Sequence, residues 1–444
     1  MSDKKPEINI NDEREIRLKK LADLREAGVN PYPAKSHKVH SLKAALELDE
    51  GKEVVVAGRI MLKRDMGKIA FCQLQDESGK MQIVFKQDDI GKDNFKLFAK
   101  KIDGADIISV EGERFVTQKG EQSILVKKWT LLSKALLPLP DKFHGLQDEE
   151  LRLRKRYLEM VMDSDVREVF KRKAKFWNSV RGFLVDEGFL EVETPVLETT
   201  AGGASATPFA THHNALDIDV FLRISMGELW QKRLMVAGFE KTFEIGRQFR
   251  NEGMSREHLQ DYSQMEFYWG YADYTMGMEL VERMIKHVAQ ETWGTLKFIM
   301  GDHDEIDLSK TWERYDYVET IKEKTGIDIL SANIDEIKAK LDELKVKYDK
   351  IEAKGALVDS LWKYCRKSIK GPGFLINVPV LVSPLAKRKD DNPELTERFQ
   401  PIIAGSELGN GYSELNDPID QAERFAEQTK MKEAGDTEAQ AHDH

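Results

Sequence analysis

One segment of the chain, residues 246–271, combines cationic, aromatic and anionic side chains around a predicted turn: GRQFRNEGMSREHLQDYSQMEFYWGY. Arg250 and Glu252 precede the turn, His258 lies in it, and Glu266 follows in an alternating strand pattern. A guanidinium binds phosphate or carboxylate oxygens bidentately, and a carboxylate binds an amine. The segment is therefore suited to hold a nucleotide and an amine. The alternative is an ordinary hairpin in which Arg250 pairs with Glu252.

The composition predicts an ordinary globular protein of two or three domains, since 444 residues include 41% hydrophobic and 33% charged side chains. The N-terminal residues lack the apolar core of a signal peptide, and no run approaches the roughly 20 apolar residues that a membrane span needs. We therefore expect a cytoplasmic protein without a membrane partner. The two cysteines, Cys72 and Cys365, lack the spacing of a disulfide framework or a zinc site.

Charge is unevenly distributed along the chain. The net charge is -10, yet residues 51–140 contain 16 Lys and Arg against 12 Asp and Glu. A phosphate backbone would be attracted to this part of the chain, with an affinity that falls as salt rises.

The N-terminal third predicts a helical extension followed by a small barrel. Within residues 1–50, Ile16, Leu18, Leu21 and Leu24 have near-helical spacing, which predicts a helix with one apolar stripe. Residues 51–140 alternate short β-rich runs with turn signals. This pattern favours a five-stranded OB-fold barrel, a fold that binds oligonucleotides, over a small barrel without a ligand.

The remaining chain predicts a linker and a larger domain. Prolines precede residues 141–164, which we expect to form a linker or hinge. The basic residues of this linker fit a solvated helix face or a contact with RNA: Arg152, Arg154, Lys155 and Arg156. Residues 165–444 predict an α+β domain with a mainly antiparallel sheet, interrupted at about 310–370 by a helical insertion.

Several segments carry a resemblance to a known family. The FRNE segment resembles motif 2 of the class II aminoacyl-tRNA synthetases, and GFLEVETPVLETT resembles their motif 1. Three longer segments are similar to lysyl-tRNA synthetases: RISMGELWQKRLMVAGFEKTFEIGRQFRNEG, GGASATPFATHHNAL and GSELGNGYSELNDPIDQAERF. The resemblance extends over nearly the whole chain. It implies a ligase that activates lysine with ATP and Mg²⁺, transfers it to tRNA(Lys), and dimerises through motif 1.

The resemblance assigns roles in ATP binding to residues of the FRNE segment and of the predicted turn and strand that follow it. Arg250 is implied as the catalytic residue that binds the α-phosphate. Glu252 and Tyr262 are implied to hold adenine, and His258 to lie near the outer phosphates. Glu407 resembles the carboxylate that binds magnesium, a role that suits a hard oxygen ligand.

The resemblance also implies a pocket for lysine, whose two cations require carboxylates where an aspartate pocket would need a cation. Glu266, Glu414 and the hydroxyl of Tyr268 are implied to bind the ε-ammonium group. The same resemblance implies that Glu228 and the backbone of Gly203 bind the α-amino group of lysine, and that Asn410 and Arg250 bind its carboxylate. Tyr412 is implied to line the channel for the lysine side chain. Two alternatives are structural: Glu414 capping a helix, and Glu228 pairing with Lys232 at i,i+4.

In the barrel, the resemblance implies that Phe71, Gln82 and Glu121 read a uridine-rich anticodon. An aromatic ring stacks on a base, and Gln and Glu supply selective hydrogen bonds. The alternative for Phe71 is an ordinary core position.

The sequence departs from the family pattern at several points. Gln400 stands where an acidic residue is often found, so we expect a weaker metal site or one that uses a water. Thr207 stands where arginine is common, and the turn before Glu228 is one residue longer than usual. The third class II motif, GxGxGxxR, does not occur in these 444 residues. A fragment of a longer protein, a split gene and an inactive homologue each fit that observation, and we favour the fragment.

Two other functions are consistent with parts of the sequence. A non-catalytic lysine- or tRNA-binding protein on a synthetase scaffold would explain the missing motif. A paralogue that modifies a translation factor is disfavoured because such paralogues lack the anticodon-binding barrel predicted here.

Overall fold

The computed structural model describes residues 10–140, 148–200, 202, 206–255, 258–299, 305–348 and 353–433. The chain divides into two compact units, Met1–Arg167 and Glu168–His444. Each unit has hydrophobic clusters of its own.

The first unit contains five strands and several short helices. The strands are β1 (Glu53–Met66), β2 (Ile69–Gln75), β3 (Lys80–Lys86), β4 (Ile107–Val116) and β5 (Gln122–Ser133). The helices before and between them are α1 (Ile10–Glu26), α2 (Leu42–Glu47), α3 (Gln87–Ile90) and α4 (Lys92–Lys101), and those after them are α5 (Glu149–Arg154) and α6 (Arg156–Met162).

The five strands close into a barrel in the order β1-β2-β3-β5-β4. The β3–β5 pair is parallel and the other pairs are antiparallel. Gly112 makes a close approach possible where β4 bulges against β5, because a Cβ atom there would lie 2.2 Å from the carbonyl oxygen of Leu125. Alternate residues such as Ile60, Leu74 and Ile108 fill the interior.

Helix α1 packs on the barrel through fewer apolar residues than the sequence indicated. Leu24 is fully buried in the barrel core and Leu21 is nearly so, but Ile16 is exposed, so its predicted place in the apolar stripe was wrong. The next residue, Arg17, is buried instead. Its guanidinium donates hydrogen bonds to the carbonyl oxygens of Gly104 and Ala135, which offset the cost of burial.

A buried cluster of charges also joins α1 to the end of the barrel. The ammonium group of Lys134 is inaccessible to solvent and lies 2.6 Å from Asp103 and 2.7 Å from Asp106. Lys20 of α1 binds Asp103 at 2.5 Å. Burial raises the pKa of Asp106. For Asp103 burial acts in the same direction, but hydrogen bonds from Lys134 and Lys20 outweigh it and lower the pKa.

The described part of the predicted linker, residues 148–164, contains α5, α6 and the start of α7; its other residues lie outside the described part of the chain. Arg152 and Arg156 both bind Glu159, which is buried, and Arg154 pairs with Glu150. Three of the basic residues noted in the sequence are therefore engaged within the first unit.

The second unit contains thirteen described strands, most of them short. They are β6 (Leu190–Glu191), β7 (Leu197–Glu198), β8 (Ala210–His213), β9 (Ile218–Leu222), β10 (Lys241–Phe249), β11 (Asp261–Trp269), β12 (Lys297–Phe298), β13 (Ile306–Asp307), β14 (Glu313–Asp316), β15 (Gly373–Ile376), β16 (Arg398–Ile403), β17 (Ser406–Glu407) and β18 (Gly411–Tyr412). The helices are α7 (Ser164–Asp186, which begins in the first unit), α8 (Glu228–Val236), α9 (Tyr274–Trp293), α10 (Tyr317–Thr325), α11 (Ile334–Glu343), α12 (Lys354–Arg366) and α13 (Pro418–Glu433), with a 3₁₀ turn at Val380–Val382.

These strands form two main sheets, β11-β10-β6 and β14-β15-β16-β17, with β18 pairing with β16. Within the described residues of this second unit only the β6–β10 and β14–β15 pairs are parallel, so the predicted mainly antiparallel α+β domain is confirmed. Helices α10–α12 connect β14 to β15 and bury Ile321, Leu341 and Trp362 in a core that they share with β15 and β16. This helical segment coincides with the region where an insertion was predicted.

No helix among the described residues is both long enough and apolar enough to cross a membrane.

We predict that Lys134→Met lowers the free energy of unfolding of the first unit by about 3–5 kcal/mol, because Asp106 would be left buried without a counter-charge and Asp103 would keep only Lys20. Urea unfolding followed by circular dichroism measures the change. Lys128→Met is the matched control, since Lys128 pairs with Glu111 on the exposed barrel surface, where such a pair contributes about 0–1 kcal/mol. Equal losses in the two variants would contradict the structural role of the buried cluster.

Candidate active site

The predicted strand-turn-strand is an antiparallel hairpin of β10 and β11. Their register places Glu244 opposite Glu266 and Gln248 opposite Tyr262. Arg250 follows β10 directly, and its backbone N–H donates to the carbonyl oxygen of Gln260 at 2.9 Å. The hairpin therefore carries Arg250 at one end and Glu266 near its middle, both half-buried.

Arg250 does not pair with Glu252 in the described structure. Its Nε donates to the carbonyl oxygen of Ile224 at 3.4 Å, and its guanidinium carbon lies 5.9 Å from the centre of the Tyr262 ring. Among the described residues no carboxylate forms an ion pair with Arg250. The simple alternative of an Arg250–Glu252 pair is thus not observed, and the guanidinium keeps donors for a ligand.

The other residues assigned to ATP lie on the turn side of the hairpin. Glu252 is exposed and accepts a hydrogen bond from the backbone N–H of Thr207 at 3.2 Å. His258 is also exposed, and its Nδ1 lies 2.8 Å from the hydroxyl of Ser255. Tyr262 is half-buried beside Arg250. The turn side of the hairpin thus carries a carboxylate and an imidazole, and the aromatic ring of Tyr262 lies beside the guanidinium of Arg250.

A buried group of charged residues forms hydrogen bonds with strand β10. Arg223 donates to Glu244 at 2.5 Å and to the carbonyl oxygen of Arg247 at 2.9 Å, and the hydroxyl of Thr194 donates to Glu244 at 2.6 Å. Glu198 lies in the same group, and its Oε2 is buried without a hydrogen-bond partner among the described residues. Burial raises the pKa of Glu198 to about 7, while Arg223 acts in the opposite direction.

Two carboxylates assigned to the substrate's amines are bridged by a residue of the chain itself. Lys232 Nζ lies 2.7 Å from Oε1 of Glu228 and 2.8 Å from Oε1 of Glu414. The hydroxyl of Tyr412 donates to the same oxygen of Glu228 at 3.3 Å. Burial disfavours the charge of Lys232, but the two carboxylates outweigh it and raise the pKa of its ammonium group.

The third carboxylate, Glu266, has no cation within ion-pair distance among the described residues. It accepts hydrogen bonds from the backbone N–H of Met226 at 3.0 Å and from the amide of Gln264 at 2.6 Å. Burial raises its pKa to about 7, the Met226 hydrogen bond opposes this shift, and the nearby charge of Glu228 adds to it. Glu266 therefore exchanges a proton near neutral pH.

Two tyrosines complete the cluster. Burial raises the pKa of Tyr268 and of Tyr412 well above the usual range, and the nearby charges of Glu228, Glu266 and Glu414 raise it further. Both phenols therefore stay neutral. The structure thus brings together five of the seven residues predicted to bind lysine.

The other two residues of that set differ in their surroundings. Asn410 is exposed, and its Oδ1 accepts a 2.6 Å hydrogen bond from Nε of Arg398. Arg398 also donates to the carbonyl oxygen of Val382 and to the hydroxyl of Ser383, which fixes its position. Gly203 lies outside the described residues.

Glu407, the predicted magnesium ligand, is half-buried between two neutral donors. Its Oε1 accepts from the indole of Trp362 at 2.7 Å, and its Oε2 from the amide of Gln400 at 3.2 Å. Arg366 Nε lies 3.9 Å from Oε1. Throughout the described parts of the chain, no three His, Cys, Asp or Glu side chains form a cluster that could hold a metal ion by themselves.

On the barrel, the predicted anticodon residues lie on the outer side of the sheet and in a turn. Phe71 is half-buried on β2, where the core positions are taken by its neighbours Ala70 and Cys72. Gln82 on the adjacent strand β3 donates to the hydroxyl of Ser123 at 2.9 Å. Glu121 is exposed in the turn between β4 and β5. Phe71 is therefore not an ordinary core residue of the barrel.

Sequence reasoning missed three residues that hold the site together: Lys232, Arg398 and Trp362. Lys232 was considered only as a helical partner of Glu228, and that pair is present, but its contact with Glu414 joins distant parts of the chain. The contacts of Arg398 and Trp362 are equally non-local. Only the i,i+4 spacing of Glu228 and Lys232 gave a signal in the sequence.

Comparison with known proteins agrees with this geometry. Residues 148–444 match the family model of class II tRNA synthetases (D, K and N), and residues 54–132 match that of the OB-fold nucleic acid binding domain. An OB barrel followed by an antiparallel catalytic domain defines a class II aminoacyl-tRNA synthetase, as the motifs had predicted.

Similar proteins narrow the class. The chain is 43% identical to the lysine–tRNA ligase of Pelotomaculum thermopropionicum, over 98% of this chain and 86% of that protein. It is 46% identical to that of Thermoanaerobacter pseudethanolicus, over 97% and 87%, and 43% identical to that of Roseiflexus sp., over 98% and 90%. The chain belongs to the lysine–tRNA ligase family, which confirms the resemblance found in the sequence.

We predict that Glu198→Gln removes the loss of folding stability that ionisation of the buried Glu198 causes as pH rises. A carboxyl whose pKa is raised by folding favours the folded state below its unfolded pKa of about 4.5, and this contribution is lost as pH rises through about 7. The variant should therefore unfold like the wild type in acid but be more stable at alkaline pH, by a free energy of the order of 2 kcal/mol. Thermal unfolding across that pH range tests this, and parallel curves for the two proteins would refute it.

Proposed function

We propose that this chain is an ATP-dependent lysine–tRNA ligase. The observation that carries the proposal is the group of three carboxylates, Glu228, Glu266 and Glu414, close to an arginine without a carboxylate partner among the described residues. Lysine has two ammonium groups and one carboxylate, and such a pocket matches all three charges. An aspartate substrate would bring a second carboxylate into this negative surrounding, at a cost in free energy.

In the first step, an oxygen of the lysine carboxylate attacks the α-phosphate of ATP, and pyrophosphate leaves. No side chain has to act as a nucleophile. The rate enhancement therefore comes from positioning the reactants and from stabilising the charge that develops in the transition state. Arg250 is suited to both tasks, because its planar guanidinium binds carboxylate and phosphate oxygens together. Tyr262 would stack on adenine, and Glu252 would accept a hydrogen bond from the amino group of adenine. His258 would lie near the outer phosphates.

In the second step, a terminal ribose hydroxyl of tRNA(Lys) attacks the carbonyl carbon of the adenylate, and AMP leaves. During both steps lysine must be held at each end. We propose Glu266, Glu414 and Tyr268 for its ε-ammonium group. Glu228 and the backbone of Gly203 would hold the α-amino group, Asn410 and Arg250 the carboxylate, and Tyr412 would line the channel.

Magnesium fits this site as an ion shared with ATP. In proteins Mg²⁺ is commonly bound by one or two carboxylates, with phosphates and water completing its shell. Glu407 can serve as such a ligand, since the donors closest to it, Trp362 and Gln400, are neutral. When bound, the ion would neutralise phosphate charge. Gln400 supplies an amide where a carboxylate would strengthen the site.

The remaining proposals concern partners and location. Phe71, Gln82 and Glu121 would read the anticodon on the outer side of the barrel. A homodimer through motif 1 is supported by exposed apolar side chains in and near it, among them Leu190, Val196 and Leu197. We expect the protein to act in the cytoplasm, where tRNA is charged.

We predict that Arg250→Ala reduces lysine-dependent ATP–pyrophosphate exchange by at least about 100-fold, the usual effect of removing one donor to developing charge. The matched control is Arg247→Ala in the same hairpin. Arg247 is exposed and pairs with Asp261 at 2.6 Å, so its loss should leave exchange nearly unchanged. Exchange retained in the Arg250 variant would refute its catalytic role.

The wild-type chain must be assayed first, with lysine, aspartate and asparagine in parallel. Exchange with lysine alone supports the ligase. Lysine binding by calorimetry without exchange would instead support a lysine-binding protein on the same scaffold. Exchange with aspartate or asparagine would contradict the proposed use of the carboxylates.

We predict that the affinity for lysine falls below about pH 7, by up to about tenfold per pH unit. The pKa of Glu266 is about 7 in the empty site, and a bound ammonium group lowers it. Lysine binding therefore releases the proton of Glu266 at acid pH, whereas above pH 7 no proton has to be released. Calorimetry in buffers of different ionisation enthalpy measures both quantities.

Glu266→Gln provides the control for this pH dependence. The variant should bind lysine more weakly, because an amide has no charge for the ammonium group, and its affinity should change little with pH in this range. A wild-type affinity that does not vary between about pH 6 and pH 8 would contradict the assignment of Glu266.

A further inference from the structure

Lys232 occupies the place where a lysine substrate would bring positive charge. Its ammonium group lies within 2.8 Å of one oxygen on each of Glu228 and Glu414. The Glu228 contact is an ordinary i,i+4 pair of helix α8. The Glu414 contact is different, because that residue follows β18 in a distant part of the chain. One nitrogen of the protein therefore bridges two carboxylates that the proposed function gives to two nitrogens of the substrate.

Electrostatics explains why an empty pocket would contain such a cation. The side chain of Glu228 is only 5% exposed, and Glu266 is close enough to raise the charge density further. Carboxylates this close repel one another, and a cation between them offsets that repulsion. The ammonium group of Lys232 supplies a counter-charge to both Glu228 and Glu414.

The same arrangement creates competition. A carboxylate oxygen can accept more than one hydrogen bond, but two ammonium groups beside the same oxygens repel each other. The side chain of Lys232 is 28% exposed, so the ammonium group has a route to solvent along its flexible stem. Its departure would leave both carboxylates to the ammonium groups of the incoming ligand.

We propose that Lys232 is an internal counter-ion that occupies the ammonium-binding carboxylates of the empty pocket, and that substrate lysine binds by displacing it. This inference rests on the proposed function. Lys232 is then a positioning residue that sets the affinity for lysine, because each binding event must break its two ion pairs.

The test compares lysine binding to the full chain and to Lys232→Met by calorimetry at about pH 8, well above the usual pKa of a carboxyl group. We expect the variant to bind lysine more tightly, by roughly tenfold, since no internal ion pairs have to be broken.

Methylammonium supplies a readout that a merely structural role would not change. In Lys232→Met the small cation should fill the vacated place and compete with lysine, whereas in the wild type the place is already filled. Lys232→Arg should behave like the wild type. Lys286→Met is the matched control, because Lys286 forms an i,i+4 pair with Glu282 on α9, outside this pocket.

The outcomes separate this inference from the proposed function. Wild-type binding of lysine with equal or weaker binding in Lys232→Met overturns the counter-ion role alone. A wild type that binds no lysine overturns the proposed function and this inference with it. If Lys232→Met does not fold, a crystal structure of the wild type with lysine decides: Lys232 still bridging both carboxylates would overturn displacement, and Lys232 turned to solvent would support it.

Discussion

The arrangement of the candidate active site depends on one constraint: carboxylates gathered in a partly buried pocket must be neutralised. The three glutamates solve this in different ways. Glu228 and Glu414 share the ammonium group of Lys232, whereas Glu266 relies on hydrogen bonds and on partial protonation near neutral pH. Below the same hairpin, Arg223 neutralises Glu244. Each buried carboxylate of the candidate site is thus compensated by a cation, by hydrogen bonds or by a proton.

The barrel obeys the same constraint for a structural purpose. Lys134 is wholly inaccessible to solvent and is held between Asp103 and Asp106, with Lys20 of α1 on the outer side. A buried pair contributes less to stability than its short distances suggest, because both groups lose their hydration. Its effect is clearest when one partner is removed. The contact of Lys20 with this buried cluster thus fixes the position of α1 on the barrel more strictly than an exposed ion pair would.

The sequence predicted the parts of this protein that are encoded locally. Alternating runs and turn residues predicted the OB barrel, and motifs 1 and 2 predicted the class II domain and its family, all confirmed. The site assignments stay predictions, although the hairpin does place Arg250 and Glu266 as expected. The contacts of Lys232 with Glu414 and of Trp362 with Glu407 were not predictable, since they join elements distant in the chain. Ile16 was assigned wrongly because periodicity does not reveal that Arg17 finds carbonyl acceptors on the barrel.

The close packing of the N-terminal helices on the barrel affects how this protein can be dissected. Leu24 of α1 and Leu42 and Ala45 of α2 are fully buried in the same core as the strands. A recombinant barrel that began at residue 51 would lose these side chains and leave an apolar surface in water, and Asp103 would keep Lys134 but lose Lys20. A unit meant to fold by itself should therefore include α1 and α2, and a biochemist isolating the OB-fold module should cut the chain before Ile10 rather than before β1.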